Sequence, residues 1–311
     1  MKRAESWAPS SLKRVPSPMV KLHDSGIDSN ETLPLDLVSA SMKPAPAESG
    51  FEKRRAADLP FDEQPVRGST TEDLALDYFR DSYLPRAVAD DVLRENRRGI
   101  EHQLGSLRFL ATDLATPTAA GLLVLGKDPL MWLPGAYVQL VRFEGRDKAA
   151  PIRNQKRFFR RLEHVVEGLD AFLPFAIETA RIPLEGSMQH RDLPDYPESA
   201  LRELVFNALM HRNYATSNAP IQIDWFSDRV EISNPGGLFG RVTRDNFDRT
   251  TDYRNPAVAE AMRALKYVER YGVGIARVRA ALERNGNPPP VFRFEAESAT
   301  VTMRKRERIP V

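Results

Sequence analysis

Three side chains recur at four-residue spacing in the segment ESALRELVFNALMHR: Glu203, Asn207 and His211. On a helix this spacing puts all three on one face, while Leu201, Leu204, Val205 and Ala208 occupy the rest. A carboxylate and a carboxamide on one stripe of an otherwise apolar helix are costly to bury without a partner. Two readings follow, ordinary solvent exposure or a stripe that faces a ligand. Downstream, SNPGG ends a strand and leaves Gly236 and Gly237 in a turn whose backbone a ligand can approach closely. ERYGVGIARV then places Gly272 and Gly274 directly before a helix, where free N–H groups and the helix dipole suit an anionic phosphate. Either glycine pair alone is weak evidence, because turns use glycine anyway. In this order, together with the helix stripe, they point to a nucleotide-binding site within residues 198–279.

Positioning such a site takes a helix over residues 198–212, with Pro197 near its start, and a hairpin, APIQIDWFSDRVEISNPGG, turning at Ser227 and Asp228. NPAVAEAMRALKYV predicts a helix capped by Asn255 with Pro256 at its first position. GIARVRAALERNG predicts a second, stopped by Gly286, and FRFEAESATVTMR closes with another hairpin. The long polar segment between Gly237 and Asn255 is placed like a lid. Upstream, GAYVQLVRFEG alternates as a strand, and Leu162, Val165, Val166, Leu169 and Phe172 mark a helix. Helices interleaved with antiparallel strands predict an α+β sandwich, a mixed sheet with helices on one face, over residues 135–311.

Residues 68–134 predict a small helical subdomain. One helix follows Thr71 as its cap, a second runs over 86–98, and a strand, a turn and a helix carry Leu122 to Leu125 inward. This is either a winged-helix-like module that contacts DNA or a subdomain that only packs. Residues 1–67, rich in Ser, Pro, Ala and charge, cannot bury enough surface to offset their entropy and read as a disordered arm.

Forty-five Lys and Arg against 43 Asp and Glu leave a net charge of +2, too small to argue for nucleic acid by itself. The absence of cysteine excludes disulfide scaffolds, Cys-type zinc sites and cysteine nucleophiles, and fits a reducing cytoplasm. No apolar run follows the basic start, and the most apolar stretch, 119–141, is broken by Lys127, Asp128 and two prolines, so no membrane segment is expected. Gly121 to Lys127 fits the opening of a P-loop, but Asp128 stands where a Ser or Thr must bind Mg²⁺. His190-Arg191-Asp192-Leu193 resembles a kinase catalytic loop without its following asparagine, and reads as a linker.

E-x-x-x-N on a helix, a strand ending in N-P-G-G, and G-x-G before a helix resemble the GHKL-like nucleotide-binding fold of gyrase, MutL and the histidine kinases. More closely, ELVFNALMHRNY, DRVEISNPGGLFG, RNPAVAEAM and VERYGVGIARV resemble the C-terminal domain of bacterial RecG-like proteins and of transcriptional regulators of the Schlafen/AlbA type. The resemblance covers roughly residues 61–303, and only the last part of an AlbA-like domain, around residues 51–68, is recognisable before it. It implies an ATP-binding regulatory protein with ATP and Mg²⁺ as cofactors. Asn207 would hold Mg²⁺ beside the triphosphate, and Glu203 would polarise the attacking water if ATP is hydrolysed. Gly236 and Gly237 would lie against the adenosine, Gly272 and Gly274 would cradle phosphates, and His211 and Arg212 would approach the phosphate tail or serve structure. One position departs from the wider fold. Where an aspartate accepts from the adenine amino group, this chain has Asn234, an amide that can still accept but carries no charge. The partners expected are a nucleotide, DNA, and a second copy of the chain, since relatives of this fold are commonly dimers. A rival expectation is a scaffold that kept the fold and lost the ligand.

Overall fold

The computed structural model describes residues 59–183, 188–268 and 272–306, all within one compact unit, Gly50–Val311. The arm expected over residues 1–67 lies almost wholly outside the described residues.

A six-stranded sheet runs in the order β2-β1-β5-β6-β8-β7. It comprises β1 (Val138–Phe143), β2 (Ile152–Phe158), β5 (Ile221–Trp225), β6 (Arg229–Pro235), β7 (Val291–Phe294) and β8 (Ser298–Arg304). Neighbours are antiparallel except β1 and β5, which are parallel, so the sheet is mixed as the sequence predicts. The β5–β6 hairpin turns at Ser227 and Asp228, closed by Phe226 N–H donating to the Arg229 carbonyl (2.8 Å). In register, Leu140, Ile223, Ile232 and Val301 form one row and Arg142, Trp225, Val230 and Met303 the next. Their side chains share a face because strand side chains alternate. The other face carries Gln222, Asp224, Glu231, Ser233 and Thr300, and there Lys148 pairs with Asp224 (2.7 Å). The concentration of polar residues on one face leaves the other, mainly apolar face for helices.

That face is covered by α7 (Leu162–Ala176), α8 (Glu198–His211) and α10 (Gly274–Asn285). Leu201, Leu204 and Val205 of α8 are buried in the same apolar cluster as Leu169, Ile223, Ile232 and Leu282. Each such leucine contributes about 1.5–3 kcal/mol by leaving water. The helix that carries the polar stripe is therefore also a core helix, and its rotation is fixed by packing.

Residues 59–134 form short helices: α1 (Leu76–Tyr78) leading through a π-turn into α2 (Leu84–Ala87), then α3 (Asp90–Glu95), α4 (Ile100–Ser106), α5 (Ala119–Leu125) and α6 (Pro129–Trp132). Extended pairing among the described residues here is limited to three isolated bridges rather than the hairpin of a wing. The apparent P-loop is α5, every residue of which is buried. Its Gly121 is required because a Cβ there would run into the Phe109 carbonyl.

Three local expectations are corrected. The first cap is Thr70, in a capping box with Asp73, not Thr71. The second helix is shorter than residues 86–98. Residues 190–193, read as a linker, belong to β4 (His190–Pro194), antiparallel to β3 (Thr179–Pro183). Its charged side chains face water and hid the period-2 pattern. The edge strand β2 was missed for the same reason, since six of its seven residues are exposed.

Asn255 stands at the N-cap of α9 (Pro256–Ala264) but does not cap it with its side chain. Its Nδ2 donates instead to the carbonyls of Met210 and Arg212 (2.8 Å each), satisfying the end of α8. The α9 terminus is capped from far away by Asp62, whose Oδ2 accepts from Val258 N–H (3.0 Å). Asp62 is fully buried, and burial pushes its carboxyl up to about 6 against the opposing pull of that bond. The folded state therefore holds this proton more tightly than the unfolded chain does. The resulting stabilisation is complete below about pH 3.8 and is lost as pH rises through about 6. Asp62→Asn, which keeps an acceptor for Val258, is expected to remove this component, on the order of 3 kcal/mol between the two limits. Urea unfolding of both proteins at pH 4.5 and 7.5 checks it. Identical pH slopes would remove Asp62 as the cause.

Candidate functional site

The stripe of α8 opens onto a cavity bounded by the helix-side face of β6, β8 and β7, by the start of α10 and by the segment after Gly237. Glu203, Asn207 and His211 all line it, as do Asn234, Gly236, Gly237, Gly272 and Gly274. Of the residues singled out from sequence, only Arg212 does not.

In this cavity α8 meets the first residue of α10. A Cβ on Gly274 would overlap Glu203 Oε1 and come within 3.4 Å of Asn207 Nδ2. The missing side chain is what lets a carboxylate and an amide rest on bare backbone at a helix start. Val273, at the N-cap, offers no side-chain cap bond, so the first N–H groups of α10 are not satisfied by a local cap. Gly272 takes φ +61°, which favours glycine, and faces the Thr251 hydroxyl.

The sheet contributes Asn234 to the same lining, the third residue of the inward row Val230, Ile232, Asn234 on β6. It is 7% exposed, and its Oδ1 is buried with no hydrogen-bond partner. An amide oxygen in that state costs about 1–3 kcal/mol, so the site is built at some expense to stability. Around it the floor is apolar, with Ile232 and Val301 of the sheet and Phe292 and Phe294 of β7.

The polar segment between Gly237 and Asn255 forms a wall of this cavity and is held by contacts of its own. Phe247 packs on Phe292 and Phe294, with ring centroids 4.9 Å away in each case. Arg244 donates to the Phe294 carbonyl (2.7 Å), and Arg279 of α10 pairs with Asp248 (2.8 Å). Tyr253 stacks on His211 (5.9 Å, 8°). Burial, and then the charge of Arg254, hold the His211 imidazole down to about 4, so it is neutral at physiological pH.

Arg212 is turned into the fold, 1% exposed, donating to the carbonyls of Ser217 (2.8 Å) and Ala219 (2.6 Å) and lying over the Tyr214 ring (4.6 Å). It holds the loop after α8. The glycine turn also differs in part from expectation. Gly236 has φ +111°, a backbone demand, while a Cβ on Gly237 would run into the carbonyls of Glu295 and Ala296. Gly237 is glycine because the β7–β8 turn crosses it. Sequence reasoning missed Phe247, Phe292, Phe294, Tyr253 and Arg277, which also line the cavity. A phenylalanine amid charged and polar neighbours in the loop was the one available signal for Phe247.

Residues 218–303 match the family described as "Putative ATP-dependent DNA helicase recG C-terminal". That span runs from β5 to β8 and includes Asn234 and all four site glycines, with α8 lying before it. No curated protein matches the chain. Among solved structures, the DIP2311 protein from Corynebacterium diphtheriae superposes with a TM-score of 0.60 at 23% identity, over 82% of this chain and 50% of its own. The likeness is one of fold, and this chain spans about half the length of that protein. Residues 218–303 are thus similar to the RecG C-terminal type of domain, and the mixed α+β frame is consistent with a GHKL-like fold. Among the described residues, no helix is long and apolar enough to cross a membrane.

The two glycines give opposite expectations on substitution. Gly237→Ala drives a methyl into backbone and is expected to cost about 1–3 kcal/mol. Gly274→Ala meets only the ends of flexible side chains and suits a first helical turn, so it is expected to leave stability within about 1 kcal/mol while displacing Glu203. Urea unfolding of both variants decides, and a Gly274→Ala as unstable as Gly237→Ala would contradict this geometry.

Proposed function

We propose that the cavity binds a purine nucleoside polyphosphate with Mg²⁺, and that the protein is an ATP-binding regulator acting in transcription. The observation that carries the binding reading is the pairing of two features. A buried, unpartnered amide oxygen on Asn234 suits a base, and in the same cavity a carboxylate and an amide lie against the first residue of α10, whose N-cap residue gives no side-chain cap bond. A base needs the first and a phosphate chain the second.

In this reading the N–H groups at the start of α10, after Gly272, hold phosphate oxygens. Glu203 orients and deprotonates a water, and Asn207 lends its Oδ1 to the cation. Among the described residues no group of three His, Asp or Glu side chains could hold a metal. Asn207 would therefore supply one protein ligand and the phosphates and water the rest, the usual pattern for Mg²⁺. The bound cation would neutralise phosphate charge. His211, neutral and stacked on Tyr253, is a hydrogen-bonding group here rather than a counter-charge.

DNA and a second copy of the chain belong to the same proposal as partners. The rival reading, a scaffold without ligand, draws on the apolar floor and on a lid that already packs on Phe292 and Phe294. Calorimetric titration with Mg-ATP and Mg-ADP separates the two. Binding is expected, Asn207→Ala should abolish it, and Glu203→Ala should keep binding and lose any turnover. Absence of heat with either nucleotide, and of any rise in melting temperature, would leave the scaffold.

A further inference from the structure

Building on the nucleotide reading, we infer that the site accepts 6-amino and 6-oxo purines alike, because Asn234 presents the base with an amide that can turn to serve either.

A carboxylate at this position would only accept, so it would suit the amino group of adenine and repel the O6 of a 6-oxo purine. An amide both accepts and donates. With its oxygen toward the base it takes an N6–H and offers an N–H to a neighbouring ring nitrogen. Turned by half a rotation, it donates to O6 and accepts from N1–H. The two pairings have the same count of bonds and the same neutral character.

The turn is available only if nothing pins the amide, and the surroundings meet that condition. Asn234 Oδ1 is buried without a partner. Directly across the ladder stands Ala299, whose methyl cannot bond it, and the next inward residue on β6 is Ile232. The nearest polar pair on these strands, Ser233 and Thr300, bond each other (3.1 Å) on the opposite face of the sheet. The same cavity is lined by aromatic rings, Phe247 with Phe292 and Phe294. Stacking surfaces of that kind hold any base, because every base has a π-face. Neither the polar contact nor the apolar wall distinguishes the group at C6.

The test compares Mg-ATP with Mg-ITP, whose base differs at C6 and N1 but lacks the extra 2-amino group of guanine. For the wild-type protein, calorimetry should give dissociation constants within about threefold of each other, well below the roughly tenfold or greater discrimination of a fixed bidentate contact. Asn234→Leu, of similar shape but without donor or acceptor, should weaken both by a similar factor of about ten. A wild-type preference of about tenfold or more, or a loss in the leucine variant confined to one nucleotide, overturns the inference while leaving the nucleotide site standing. Binding of neither nucleotide to the wild type overturns both. The wild-type ratio decides even if the variant fails to fold.

Discussion

The contact between α8 and the first residue of α10 is the constraint on which the site depends. Helix α8 is locked in rotation by Leu201, Leu204 and Val205, which are buried against the sheet. Its other edge must therefore present Glu203 and Asn207 to whatever lies beside it. What lies there is Gly274, with no side chain to hold them off. A larger residue at the start of α10 would push the carboxylate and the amide away from that helix terminus. The core thus sets the site's geometry, and one glycine makes the approach possible.

A second constraint couples this contact to distant sequence. The end of α8 is satisfied by Asn255, which closes the lid, and the start of α9 is satisfied by Asp62, nearly two hundred residues earlier. These exchanged caps tie the helical segment 59–134, the lid and the site helix into one polar framework, with the fully buried Asp62 at its far end. Rearrangement of the segment around Asp62 would expose the N–H of Val258 and loosen the end of the lid. The subdomain before the sheet is therefore bonded to α9, whose N-cap residue Asn255 bonds the end of the site helix.

Much of this was legible in the sequence, and the exceptions share a cause. The stripe at 203, 207 and 211 was readable because helical spacing and apolar neighbours fix a face whatever the partner is. The strands β5, β6 and β8 were readable because one face is buried, giving alternation. The strands β2 and β4 were not, because their exposed polar side chains carry no period. The caps failed for a different reason. Asn255 occupies the right position by local rules, but a buried helix end nearby competed for its amide and won. Arg212 continued the stripe by one residue, yet the helix ends at His211, and beyond it the side chain follows the loop and not the face. Pairings such as Asp62 with Val258 leave no local signature at all.

The two glycine pairs looked alike in sequence but do unequal work. Gly237 answers to the β7–β8 turn that crosses it, and Gly236 to its own backbone angle and to Asn213 beside it. Neither is explained by a ligand. Gly272 and Gly274, by contrast, face the lid hydroxyl of Thr251 and the carboxylate of Glu203, which are groups of the cavity itself. The side of the cavity at Gly272 and Gly274 thus rests on backbone geometry, whereas Asn234 contributes a single amide to a lining that also holds aromatic rings. In the proposed reading, polyphosphate recognition would follow from a helix terminus that the fold must have in any case, and recognition of the base from one side chain whose buried oxygen has no partner.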